Sequence, residues 1–163
     1  MIPYIERTRT YYSTLGYPPY HWAEFEDVPF ARPGKPVSES RLALITTAAP
    51  CRPELGDQGP GAAYNAQAKF FQVYTDSVEP VPDLRISHLG YDRKHSTAED
   101  PNSWLPVARL KEAVAEGRLG GLADRLIGVP TNRSQRVTLE QDAPAALQAC
   151  IDQQADLALL VPS

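Results

Sequence analysis

The chain has 163 residues and a mass of 18.0 kDa, which favours one domain, because two would each lack the chain length for a good core. Apolar residues make up 42% of it, and sixteen Lys plus Arg against twenty Asp plus Glu leave a net charge of −4 and a pI near 5.4. That balance excludes a broad basic face, so no nucleic-acid partner is expected, and no apolar run is long enough to span a membrane. The first residues, MIPYIERTRTYY, lack the apolar stretch of a secretory signal and carry Glu6 among arginines, so a cytoplasmic protein is expected. The two cysteines, Cys51 and Cys150, form neither a disulfide framework nor a zinc pattern. Cys150 reads as a small core residue on a helix and Cys51 as part of a loop.

Pro3 to Leu15 predicts a helix, with Ile5, Thr8, Tyr12 and Leu15 on one face and Pro3 in a first-turn position. Gly16 to Lys35 (GYPPYHWAEFEDVPFARPGK) mixes prolines with aromatic residues. It is too aromatic for disorder and is expected to lie as an ordered arm across the domain, its rings packed on the core. Leu42 to Ala48 (LALITTA) reads as an internal parallel strand buried on both faces. A loop rich in Pro and Gly follows from Pro50 to Gly61. Short strands are expected at Phe70 to Tyr74 and at Leu84 to Leu89.

Leu105 to Leu119 predicts a helix that starts at Pro106, buries Leu110, Ala113 and Val114, and ends at Gly117 or Gly120. Asp142 suits the N-cap of a last helix, with Pro144 in the first turn and an apolar stripe of Leu147, Cys150 and Ile151. Asp156 to Val161 (DLALLV) is a second buried-strand run, left partly exposed if no helix covers it. The pattern is α/β: a single domain with a small, mostly parallel sheet flanked by helices, and an aromatic, Pro-rich N-terminal arm. A right-handed crossover puts the ends of LALITTA and DLALLV at one edge of the sheet, where ligands of open α/β sheets gather.

Three loops carry candidate chemistry. Gly56 to Gly61, with Asp57 and Gln58 between glycines, allows backbone N–H groups to approach an anion, although a tight turn needing positive φ uses the same residues. His88 to Ser96 (HLGYDRKHS) gathers two imidazoles, a carboxylate and two cations. His88, Asp92 and His95 are catalytic candidates, because imidazole exchanges protons near neutral pH. A turn held by Asp92 and Arg93 is the plain alternative, and convergence of these side chains with Glu99 on a metal is a third; no metal is assigned. Thr131, Asn132 and Arg133 after Pro130 form either an exposed loop or a polar pocket floor in which Arg133 grips a carboxylate.

The strings YIERTRTYYSTLGYPPYHWAEFEDVPF, GDQGPGAAYN, ISHLGYDRKHSTAEDP and PTNRSQRVTLEQDAP resemble the glycine/sarcosine/betaine reductase selenoprotein B and D-proline reductase family, most closely its shorter stand-alone bacterial members. The resemblance runs from about Tyr4 to the end. It implies an oxidoreductase in which a cysteine or selenocysteine of a C-x-x-C or U-x-x-C element attacks a carbon bearing an amino group, with thiols supplying the electrons. The helix N-terminus that follows such a strand stabilises the thiolate or selenolate. The sequence ends at Ser163, where the resemblance places that element; an open reading frame closed at a UGA codon read as selenocysteine is the expectation, and a deliberate fragment or a degenerate gene would look the same.

The implied partners are a small amine or amino-acid-like substrate, a thiol electron donor, and a second copy or a reductase-complex subunit. Asp57, Gln58, Thr131, Asn132 and Arg133 would then bind substrate, with His88, Asp92 and His95 as the proton-handling groups. Large members work with a pyruvoyl-bearing partner, but nothing here resembles a pyruvoyl-forming site, so no cofactor is expected. A non-catalytic binding module, docking through the aromatic arm and the last strand, is the alternative function.

Overall fold

A computed structural model describes residues 4–29, 31–56, 62–88, 90–92, 94–131 and 134–163, with only the backbone of Tyr4. The chain divides into two compact units, Met1–Ala31 and Arg32–Ser163.

The first unit holds helix α1 (Tyr4–Thr14) and the start of the arm. The helix lies where the spacing predicts it, but the arm differs from expectation. Tyr17, Tyr20, Trp22 and Phe25 are exposed, and the first three join Tyr12 in a cluster of rings within this unit. Tyr12 meets Tyr17 and Tyr20 with centroids 6.2 and 5.5 Å apart, and Tyr20 meets Trp22 edge-on at 4.9 Å. Prolines at 18, 19 and 29 deny the segment the regular backbone pairing that would array its rings on one face.

The second unit is built on a mixed sheet. Strand β1 (Arg41–Thr46) lies at its centre; β2 is Ala49–Pro50, β3 Tyr74–Ser77 and β4 Leu84–Arg85. Helix α2 is Val107–Ala115, followed by β5 (Gly121–Leu122) and β6 (Arg125–Gly128). Helix α3 (Gln135–Val137) runs through a π-helical stretch, Thr138–Asp142, into α4 (Ala143–Asp152), and β7 (Leu157–Val161) closes the order. β5 and β6 flank β1 on one side as two parts of an interrupted strand, β7 flanks it on the other, and all of these are parallel. β3 adds an antiparallel edge on β6, while β2 and β4 pair separately. The architecture is α/β with a mostly parallel sheet, as the alternation of apolar runs and helical spacing implies.

α2 and α4 cover opposite faces. Leu44 and Leu126 pack with Val107, Trp104, Leu105, Leu84 and Ile86 on the α2 side. Ala43 and Ile127 pack with Ala146 and the half-buried Ala149 and Cys150 on the α4 side. α2 ends in a Schellman motif: Gly117 takes φ +71°, its N–H bonds the Val114 carbonyl, and the Arg118 N–H bonds that of Ala113. Tyr74 sits opposite Gly128 in the β3–β6 pair and donates its hydroxyl to the Ala48 carbonyl at 2.7 Å. A Cβ on residue 128 would overlap that ring, so only glycine fits. Burial, reinforced by Asp76, pushes the Tyr74 phenol far above its ordinary range and keeps it a neutral donor.

Several local expectations need correction. The strand predicted at Phe70 to Tyr74 begins only at Tyr74, because pairing with β6 fixes Tyr74–Ser77 as the strand. The one predicted at Leu84 to Leu89 pairs only at Leu84–Arg85, with a single bridge from Ile86 to Tyr64; Leu89 lies outside the described residues. Asp142 is not an N-cap. Ser134 caps the helical segment instead, its hydroxyl accepting from the Val137 N–H at 3.3 Å, and Asp142 lies buried within it at helical dihedrals.

On α4 the inward face is Ala146, Ala149 and Cys150, while Leu147 and Ile151 point outward at 61% and 57% exposure. β7 is a strand in parallel register with β1, but it is not buried: Ala158, Leu159 and Leu160 are all exposed.

Candidate functional site

The carboxyl ends of β1, β6 and β7 meet at one edge of the sheet. The Val129 N–H donates to the Thr46 carbonyl at 2.8 Å and ties the exit of β6 to that of β1. The Thr47 hydroxyl ties β1 to β7 in both directions: it donates to the Ser163 carbonyl at 2.8 Å and accepts from the Ser163 N–H at 2.7 Å. At this edge an open cleft of about 340 Å³ is lined by Thr47, His88, Gly90, Tyr91, Thr131, Pro162 and Ser163. Its position follows from the chain reversing around a central parallel strand, which leaves a crevice above the strand ends.

The segment after β4 forms one wall. It leaves the core through Arg85, a fully buried arginine whose guanidinium forks onto the Asp83 carboxylate and also donates to the Leu84 carbonyl at 2.9 Å. Beyond Ile86 and Ser87 the chain turns on itself. The Tyr91 N–H reaches the His88 carbonyl at 3.2 Å, and the Gly90 N–H donates to His88 Nδ1 at 3.1 Å. Asp92 organises the next turn. Its Oδ1 accepts from the N–H groups of Lys94 and His95 at 3.1 and 3.2 Å, and its Oδ2 lies 2.7 Å from His95 Nδ1. The imidazole bond, aided by the two backbone donors, holds the Asp92 carboxyl below the ordinary carboxylate range. The Tyr91 hydroxyl meets Ser96 Oγ at 2.9 Å and closes the segment.

The predicted residues therefore separate. His88 and Thr131 come together on the cleft from loops more than forty residues apart in the chain. Asp92 and His95 form an exposed pair in the same loop and are not among the lining residues. Asp57, Gln58, Asn132 and Arg133 lie outside the described residues, as does Arg93. Sequence reasoning passed over Thr47, Gly90, Tyr91, Pro162 and Ser163 as site residues. Thr47 and the Pro162–Ser163 pair had a readable signal, since each follows a strand expected to end at the ligand-binding edge.

Neither cysteine lines the cleft. Cys51 is half-buried, with its N–H on the Asp83 carbonyl at 3.0 Å, and Cys150 packs on α4, where burial pushes its thiol up. Among the described residues, no group of three or more His, Cys, Asp and Glu side chains converges in a way that could hold a metal ion.

The family model of glycine/sarcosine/betaine reductase selenoprotein B matches residues 17–156. The chain belongs to this family. The match spans the arm, β1, the loop carrying His88 and the whole of α4, so the selenoprotein B sequence pattern includes most of the cleft's lining. No curated protein and no solved structure matches the chain. No helix among the described residues is long and apolar enough to cross a membrane.

Proposed function

We propose that this selenoprotein B-family chain is the substrate-binding part of a thiol- or selenol-dependent reductase component, acting in the cytoplasm on a small amine or amino-acid-like substrate. The observation that carries this reading is the cleft at the carboxyl ends of β1, β6 and β7, where His88 and Thr131 meet. Arg133 follows Thr131 by two residues and would hold a substrate carboxylate bidentately, with Asn132, Asp57 and Gln58 completing the polar contacts. A histidine of the His88–Ser96 loop would move a proton, which at His88 requires release of the Gly90 N–H from Nδ1. The attacking sulfur or selenium is neither Cys51 nor Cys150, since both lie away from the cleft lining. It is brought to the cleft by another segment, and electrons come from a thiol donor.

Arg133→Ala in the assembled reductase is expected to raise KM for a carboxylate substrate by about tenfold or more, the loss of a charge-assisted hydrogen bond, with kcat much less changed. An unchanged KM removes that role. The chain Met1–Ser163 carrying Cys51→Ser and Cys150→Ser, assayed alone, is expected to show no reductive C–N cleavage. Turnover by that variant would overturn the assignment of the nucleophile.

A second reading is a subunit that docks a reductase partner or a second copy. The exposure of Leu159 and Leu160 on β7 and of Leu147 and Ile151 on α4 favours it. Sedimentation that shows only monomer at high concentration would count against self-association, and co-sedimentation with the reductase subunits tests the rest.

A further inference from the structure

We propose that the two histidines of the 88–96 loop are locked in opposite tautomers, so that His88 offers the cleft a fixed hydrogen-bond donor while His95 keeps its lone pair at Nε2. The assignment follows from what each Nδ1 faces. His88 Nδ1 receives the Gly90 N–H at 3.1 Å. A ring nitrogen that accepts carries no proton, so the proton of the uncharged imidazole sits on Nε2. His95 Nδ1 lies 2.7 Å from Asp92 Oδ2. The carboxylate can only accept, its other oxygen already held by two backbone N–H groups, so the proton of the uncharged His95 imidazole sits on Nδ1 and leaves Nε2 bare.

The His88 lock is built into the backbone. A Cβ added at Gly90 would stand 3.0 Å from His88 Cε1 and 3.1 Å from Nδ1, so the ring would have to give by a few tenths of an ångström and the Gly90 N–H bond would be disturbed. The Tyr91–Ser96 hydroxyl contact at 2.9 Å holds the two turns in one frame.

The consequence divides the labour between the rings. His88 lines the cleft with its Nδ1 turned to its own backbone, and the nitrogen left for a ligand is an N–H. It polarises or orients an oxygen acceptor. It cannot take a proton unless the Gly90 bond is given up. His95 has the free lone pair of a base, but it is not among the residues that line the cleft. The clause about the cleft ligand rests on the substrate-binding reading above; the tautomers do not.

Long-range proton–nitrogen correlation spectra of the 15N-labelled protein near neutral pH test the lock, with His21, His88 and His95 assigned through single His→Gln variants. The expected result is a bare Nδ1 with a protonated Nε2 for His88, and the reverse for His95. Gly90→Ala, which crowds the ring, is expected to shift His88 toward the mixed tautomers of free imidazole. A protonated Nδ1 on wild-type His88, or a free-imidazole mixture there, overturns the proposal.

Acetate then serves as the oxygen-acceptor probe. It is expected to shift the His88 Nε2–H resonance, to bind His88→Gln within a few-fold of wild type because the amide keeps a donor, and to bind His88→Leu about tenfold more weakly. Locked tautomers together with an acetate-blind His88 would support the lock and overturn the substrate-binding reading of the cleft.

Discussion

β1 and β7 are nearly the same peptide in two environments. Leu42-Ala43-Leu44-Ile45 lies directly beside Leu157-Ala158-Leu159-Leu160, residue against residue in parallel register. Yet Ala43 and Leu44 are wholly buried, while Leu160 is 68% exposed. The difference is one of position alone. A helix is about 10 Å wide and strands are about 4.8 Å apart, so one helix per face shelters about two strands. α2 and α4 sit over β1 and its β5–β6 flank, and of β7 only Val161, at its carboxyl end, packs against either core cluster. Among the described residues no strand pairs with the outer edge of β7. An apolar run thus reports that a strand can be buried, whereas its neighbours decide whether it is.

The sharpest way to break this comparison is a matched pair of truncations. Leu44→Ala is expected to cost about 2–5 kcal/mol in denaturant unfolding, through lost burial and a residual cavity. Leu160→Ala should stay within about 0.5 kcal/mol, as for an exposed site. Equal losses would mean that something covers β7 in solution, and the docking reading would gain at the expense of an isolated chain.

The opposite flank of β1 sharpens the contrast in the other direction. Gly128→Ala places a methyl in the Tyr74 ring and is expected to cost about 1–3 kcal/mol, or more if the Tyr74–Ala48 hydrogen bond also breaks. The same denaturation measurement should find Leu160→Lys nearly neutral, since that side chain already meets solvent.

The smallest effect concerns the start of β7. Asp156 Oδ2 accepts the Arg41 N–H at 2.8 Å and pairs with Lys35 Nζ at 2.7 Å, while the Asp156 N–H returns to the Arg41 carbonyl at 2.8 Å. The Lys35 hydrogen bond first, and the Arg41 N–H second, hold the Asp156 carboxyl below its ordinary value. Folding therefore gains from its ionisation above the unfolded carboxylate range, about pH 3.9, and loses that gain as pH falls through the lower folded value. Asp156→Asn should be slightly less stable than wild type at neutral pH and converge with it in acid. A difference that persists undiminished at low pH would remove the ion pair as its cause.

Legibility in the sequence followed the range of the physics. Helix α1 and helix α2 were readable because spacing, Pro106 and Gly117 act within a turn or two. In the aromatic arm, composition signals that rings will find partners without saying which; within the first unit Tyr12, Tyr20 and Trp22 find one another. β5 and β6 carried no strand signal strong enough to recognise; they are short and bounded by Gly121 and Gly128, and β1 supplies the pairing that makes them strands. At the site, His88 and Thr131 were legible as residue types, but the separation of His88 from the Asp92–His95 pair was not. That separation depends on two successive turns, one closed by the Gly90 N–H and the other by the Asp92 carboxylate.

By itself the sequence determined the α/β class, the central apolar strand, a helix ending at Gly117 or Gly120, and membership in the selenoprotein B family, which residues 17–156 carry. Tertiary structure alone decided which apolar strand is sheltered, which face of α4 turns inward, and which loop residues share the cleft. The physical reason is that periodicity and capping are settled by near neighbours in the chain. Burial and convergence are settled by the width of helices over strands and by where parallel strands bring their carboxyl ends together.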